Sequence, residues 1–259
     1  MPLARLGFHA ATVGALALTA WSLLGTPIPL PWAVAALLAY GAFMMLGVVW
    51  MPLEVFADSV NRGPDDASGV ALTFDDGPSP EHTPQILALL DAADAHATFF
   101  VIGEKAEKHP EIVREIVRRG HTIGLHGYHH DRFVALRGAG RIRADIERAA
   151  EVVAGILGER PTLYRPPVGH TSPRVARAAE LAGVTLVGWS VRGYDGLAKA
   201  KPADVVARVT RGLEDGAVVL LHDAAERDDH EPAALRALPP ILEAMRARNL
   251  RSARLADWA

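Results

Sequence analysis

Two histidines four residues apart, His126 and His130, and an adjacent pair of carboxylates, Asp75 and Asp76, have the clearest chemical potential in this sequence. On a turn of helix the four-residue spacing sets both imidazoles on one face, as two ligands of one ion require. A carboxylate from elsewhere completes a His, His, Asp set with positions left open for water, the layout of a catalytic rather than a closed structural metal site. Nitrogen and oxygen ligands suit zinc, and the same set holds iron, cobalt or nickel. Taken singly, HxxxH is as often a His-rich surface loop, and Asp-Asp before Pro78 as often a turn or helix cap. Their joint occurrence favours chemistry. Adjacent carboxylates point in different directions, so one can bind metal while its neighbour faces the water as general base. Arg165 would hold that base ionised, and His222 would protonate a leaving group. His129, between the two ligands, is expected to point away.

These residues need elements to bring them together. Short apolar, partly β-branched runs end at Phe74, Ile102, Leu125, Tyr164, Trp189, Leu221 and Leu255, giving seven expected strands. Between them lie segments with apolar residues every three or four positions, which read as amphipathic helices, and Gly120, Gly183 and Gly216 are expected to close three of them. Repeated strand-then-helix order argues a parallel α/β domain, with a barrel as the natural closure. In such a fold chemistry collects at strand ends, and the polar outliers stand there: Asp75 to Pro78, His126 to His130, Arg165 to Gly169, Ser190 to Asp195, and His222 with Asp223.

Composition narrows the classes further. Of 259 residues, 50% are hydrophobic and 22% charged, which excludes disorder, and a net charge of -3 leaves no basic excess for nucleic acid. Zero cysteines exclude disulfides, thiolate metal sites and a cysteine nucleophile. Charge is unevenly spread, for Arg5 is the only permanently charged side chain before Glu54. Two apolar runs, Leu6 to Gly25 and Trp32 to Met51, are separated by Pro27, Pro29 and Pro31, and each is about the length that crosses a hydrocarbon core. Trp21, Trp32 and Trp50 stand where an interfacial aromatic belt would place them. A signal peptide is disfavoured by the second run, and a soluble hairpin by the missing polar stripe. The expected layout is a two-helix transmembrane anchor over 1–53, a linker over 54–68 and a catalytic domain over 69–259.

Thr73 to Ser79 (TFDDGPS), His126 to His130, Arg165 to Gly169 (RPPVG), Trp189 to Asp195 and Leu220 to His222 together resemble, in order, the five motifs of the polysaccharide deacetylases with a NodB homology domain, carbohydrate esterase family 4. The resemblance implies a distorted (β/α)7 barrel and hydrolysis of N-acetyl or O-acetyl groups on amino-sugar glycans with a divalent metal, usually zinc. It implies Asp75 as base, Asp76, His126 and His130 as metal ligands, Arg165 as the partner that orients Asp75, His222 as acid, Asp195 as its positioner, and the Val168 backbone N–H as oxyanion donor. Three departures bear on substrate rather than reaction: Gly127 in place of Ser or Thr, Val168 in place of an aromatic, and Arg192 and Gly196 in place of the usual Asp and Trp around Asp195.

Three functions follow as expectations. The first is a membrane-anchored, metal-dependent deacetylase of an extracytoplasmic acetylated amino-sugar glycan, in a cell wall or exopolysaccharide. The second keeps the chemistry but acts as deacetylase or deformylase on a lipid-linked amino sugar at the cytoplasmic membrane face. The third is an inactive glycan-binding protein, against which the intact set of six polar residues speaks. Two spans with Arg5 and the amino terminus inside would return the domain to the cytoplasm, but the positive-inside signal is only one or two charges, so both orientations are carried.

Overall fold

The computed structural model describes residues 2–259. Two helices, α1 (Leu3–Leu24) and α2 (Leu30–Val49), form an N-terminal hairpin turned at the proline-rich segment and linked by Thr12 to the Tyr40 hydroxyl at 2.9 Å. Both are long and apolar enough to cross a membrane. Leu16, Leu24, Trp32 and Leu37 face outward without protein cover.

The chain then alternates strand and helix: β1 (Ala71–Asp75), α3 (Thr83–Ala92), β2 (Ala97–Val101), α4 (Gly103–Lys108), α5 (Pro110–Arg118), β3 (Thr122–Leu125), α6 (Ala139–Leu157), β4 (Leu163–Tyr164), α7 (Pro173–Ala182), β5 (Thr185–Leu186), β6 (Val191–Arg192), α8 (Pro202–Arg211), β7 (Val218–His222) and α9 (Ala234–Ala247). The strands make one parallel sheet in the order β5-β4-β3-β2-β1-β7-β6. β5 and β6 stand at opposite ends of that order, yet only Val187 to Ser190 separate them in sequence. Four residues reach at most about 17 Å counted between flanking Cα atoms, so the sheet must curl until its edges nearly meet. The seam is strapped by Val60, which pairs with Val187, and by Arg62, which pairs with Ala217. The result is the expected distorted seven-stranded barrel.

Parity along the strands decides what enters the barrel. Ala71, Val218, Leu220, Phe100, Leu163 and Trp189 form an inner cluster closed below by Leu255, while Leu72, Phe74, Val219 and Leu221 pack outward against the helices. Each such buried aliphatic or aromatic side chain contributes about 1.5–3 kcal/mol. Continuing the inward parity from Ala71 through Thr73 to Asp75, and from Leu220 to His222, brings both to the upper end of the same lumen.

Several expectations need correction. Leu255 opens a 3-10 turn (Leu255–Trp258) rather than a seventh strand, because β1 and the inner cluster use it as a plug; the nearby pairing is a bridge of Ser252 with Val70. The seventh strand is β6, too short to show an apolar run. Gly183 caps α7 with φ 67°, but α8 ends at Gly212, and Gly216 instead turns the chain into β7. The segment 54–68, expected as a linker, lies on the barrel: Val55 is buried, Glu54 accepts from the Ser59 backbone and Asn61, and Val60 and Arg62 form the strap.

Candidate active site

β1 and β7 are neighbours, and their register pairs Asp75 directly with His222. Arg165, one residue beyond β4, crosses beneath them and is fully buried. Its Nη1 donates to Asp75 Oδ1 at 2.7 Å and to Thr73 Oγ1 at 2.8 Å, and its Nη2 donates to the Gly188 carbonyl at 2.7 Å. The Thr73 hydroxyl passes its own proton to the Val219 carbonyl, so the network ties β1 to β7 and to the β5–β6 crossing. Phe100 lies under the guanidinium, 4.2 Å from ring centre to Cζ. Burial pulls Arg165 below its ordinary value and Asp75 opposes it; the guanidinium stays charged, as arginine does in proteins.

Asp76 follows with φ 72°, a left-handed conformation that turns its carboxylate away from that of Asp75. Its Oδ1 lies 3.4 Å from His126 Nε2 and 3.1 Å from His130 Nε2. His126 Nδ1 donates to the Arg165 carbonyl at 2.7 Å, which fixes the tautomer and leaves Nε2 facing Asp76. His130 also has positive φ, 52°, as does Val168, 53°. Such conformations cost about 1–3 kcal/mol each and persist only where surroundings enforce them. Burial would raise the Asp76 carboxyl, but the adjacent His126 and His130 imidazoles and the charge of His222 hold it well below the usual carboxylate range.

The three donor atoms of Asp76, His126 and His130 lie within 4.8 Å of one another, all buried, and Asp76 Oδ1 has no hydrogen-bond partner. An orphaned buried carboxylate oxygen facing two imidazole nitrogens of defined orientation fits a divalent cation. The spacing of the histidines works through a left-handed loop rather than a helical turn: no helix runs through residues 126–130. Asp145 of α6 shapes that loop by accepting from the Tyr128 and His129 backbone and from His129 Nδ1, which turns His129 outward as expected. A Cβ on Gly127 would come within 2.8 Å of Asp145 Oδ2, so glycine admits the carboxylate that tightens the loop.

His222 meets Asp195 twice: its backbone N–H donates to Oδ2 at 2.7 Å, and its Nδ1 donates to Oδ1 at 3.1 Å. Burial lowers the imidazole, but the Asp195 carboxylate, with smaller help from Asp76 and Asp75, raises it to about 9. Gly196 lies against the ring, where a Cβ would stand 2.9 Å from Cγ. A cavity of about 290 Å³ opens over Asp75, Asp76, His126, His130 and His222, with Val168 on its wall. Asp75, Asp76, His126, His130, Val168 and His222 are therefore brought to one place, with Asp195 behind His222 and Arg165 behind Asp75.

One member of the site, Glu226, belongs to none of the strand-end sets. Its carboxylate pairs with Arg132 and lies 3.3 Å from His130 Nδ1, so the charged loop after β7 rims the site. Asp223 follows His222 yet points away from the cavity, accepting from Thr83 at 2.5 Å beneath Gly77; burial pushes it up to about 7.

Comparison with known proteins agrees with this geometry. The family profile for polysaccharide deacetylase matches residues 62–187. A peptidoglycan-N-acetylglucosamine deacetylase of Bacillus cereus is 34% identical over 182 residues, covering 70% of this chain and 84% of the relative. A chitooligosaccharide deacetylase of Sinorhizobium fredii is 33% identical over 71% of this chain and 90% of its own. Among solved structures, a family 4 carbohydrate esterase from Streptomyces lividans in complex with acetate superposes with a TM-score of 0.64 at 33% identity, over 72% of this chain and 92% of that one. Shared sequence across most of a deacetylase's length and a shared curled sheet place this chain in the polysaccharide deacetylase family, metal-dependent hydrolases of carbon–nitrogen bonds.

Proposed function

We propose that this chain is a membrane-anchored deacetylase that removes N-acetyl groups from an amino-sugar glycan, with residues 69–259 catalytic and 1–53 as the anchor. The observation that carries the reading is the direct register pairing of Asp75 with His222 beside the Asp76, His126, His130 cluster. Asp76, His126 and His130 would hold zinc or another divalent metal, which would supply Lewis-acid polarisation. Asp75, paired with Arg165 at 2.7 Å, takes a proton from the attacking water as the water oxygen bonds to the acetyl carbon. The backbone N–H of Val168 holds the oxyanion that forms. His222, protonated at neutral pH, gives its proton to the nitrogen as the C–N bond breaks, leaving acetate and a free amine. The same site admits O-acetyl groups, with an alcohol as leaving group.

The test is acetate release from chitooligosaccharides by the purified, zinc-loaded full chain; no release from any acetylated amino sugar while glycan still binds would support a binding protein instead. A second reading, action on a lipid-linked amino sugar, is favoured by one contact. The Thr171 backbone N–H and hydroxyl donate to the Val48 and Gly47 carbonyls at 3.0 Å each, so the last turn of α2 is held three residues from Val168 on the cavity wall. Reporters of cytoplasmic and extracytoplasmic location, fused after Ala259, separate the two: outside activity points to wall or exopolysaccharide, inside activity to a lipid-linked intermediate.

A further inference from the structure

The cavity that holds the reacting residues is lined by both charges, and one of its arginines, Arg192, is half-buried with no anion beside it. Besides Asp75 and Asp76 it is lined by Arg132, Arg192 and Arg227 and by the carboxylates Glu226 and Asp229. Glu226 is taken by Arg132, and Asp229 by His230. Arg192, in β6, has no carboxylate within ion-pair distance among the described residues, and its Nε is buried without a hydrogen-bond partner. It is nonetheless held in place. Its Cζ lies 5.2 Å from the Trp189 ring centre and 4.7 Å from that of Tyr194. Arg208 lies 5.6 Å from Tyr194 and donates to the Gly193 carbonyl, fixing the loop that carries the aromatic.

Stacking satisfies the faces of a guanidinium and leaves its N–H edge unfilled. A half-buried arginine with unfilled donors is costly unless something completes it, and its planar fork suits carboxylate or phosphate oxygens. His170 beside it supplies no such anion; burial first, and the Arg192 charge, hold that imidazole below its ordinary value.

We propose that Arg192 is a specificity-determining residue that binds an anionic group, carboxylate or phosphate, carried by the acetylated amino sugar or by its immediate neighbour. The substrate is then an anionic glycan rather than a neutral polymer of N-acetylglucosamine. This deepens the deacetylase reading and rests on it for turnover, but binding is separable from turnover.

The experiment uses the zinc-loaded full chain and three probes: neutral penta-N-acetylchitopentaose, an alternating N-acetylglucosamine–N-acetylmuramic acid tetrasaccharide bearing carboxylates, and a short-prenol phosphate ester of N-acetylglucosamine. KM and kcat are compared for the natural chain, Arg192→Gln and Arg192→Glu. Dissociation constants are measured in parallel by calorimetry on Asp75→Asn with and without Arg192→Gln. The expected result is a fall of about tenfold or more in the anionic-to-neutral ratio of kcat/KM, carried by KM, consistent with loss of a charged hydrogen bond. Arg192→Glu should lower the ratio further, and the carboxylate and phosphate probes tell the two sources apart. The same loss in calorimetry without turnover on any probe would retain the anionic subsite and remove the deacetylase reading. Turnover or binding in which Arg192→Gln leaves the ratio unchanged would overturn the inference and leave the deacetylase reading standing.

Discussion

Replacing Asp195 by Asn removes the charge that holds His222 protonated while changing almost nothing in volume. The imidazole stands at about 9 rather than 6.5, with burial working against that rise and Asp195 the largest contribution in favour. The net difference corresponds to about 3 kcal/mol between the two protonation states. At pH 8 the natural imidazole is about nine-tenths protonated, whereas one returned to 6.5 is only about 3% protonated. If His222 is the acid, kcat/KM of Asp195→Asn falls about thirtyfold at pH 8 but less than about twofold from this cause at pH 6. A pH-independent loss adds to both, because Asn keeps one carbonyl oxygen for the two donors that Asp195 accepts from His222. The assay is a pH profile of kcat/KM from pH 5.5 to 9.5 for both proteins, with the metal verified as bound throughout. The basic limb should move toward lower pH in the variant. A uniform loss at every pH, with the limb unmoved, would refute the role given to His222 and its partner.

Asp75→Asn is expected to keep zinc, measured by metal analysis, and to lose about 10²- to 10⁴-fold in kcat, the usual range for a general base; a fully active variant would sink the mechanism. His126→Ala removes a ligand whose tautomer is already fixed, so its zinc affinity should fall about a hundredfold or more by competition with a chelator, whereas Asp75→Asn should not show this loss. Arg165→Met leaves Asp75 buried beside an apolar chain, and should lower stability by about 3–5 kcal/mol in denaturant unfolding. Because an imidazole must be neutral to bind a cation, and His130 is raised above its ordinary value by Asp76 and Glu226 against the effect of burial, zinc binding should weaken as pH falls. Titration calorimetry from pH 8 to 5.5 checks that sign.

The parts of this fold that repeat were the parts that could be read. Helices such as α5 and α7 show apolar residues at three- and four-residue spacing and a glycine where the chain leaves them, and β1, β2 and β7 are continuous apolar runs because both faces are buried. The ends of those runs supplied Asp75, His126, Arg165 and His222 before any geometry was known. What escaped depends on distant partners. A two-residue strand such as β6 carries no period, and Leu255 is apolar for a reason, plugging the barrel, that a strand would share. Glu226 and Asp145 act on the histidine loop from 96 and 15 residues beyond His130, and in sequence they resemble any other acidic residue of a loop or a solvated helix face.

On the proposed mechanism, proton transfer and substrate contact fall to different kinds of structure, the first to the paired residues Asp75 and His222. Their separation is set by the backbone ladder between β1 and β7, where bonds such as those of Thr73 and Arg165 fix the rungs below them. The cavity walls, by contrast, come from loops: Val168 and Gly169, Tyr194 to Leu197, and Glu226 to His230. For protein engineering this is a chassis with exchangeable fittings. With Asp195 and the Val168 backbone kept, the rest of those three loops can be regrafted to test acceptance of a different amino sugar while Asp75 and His222 keep their spacing; changes to the ladder offer no corresponding freedom.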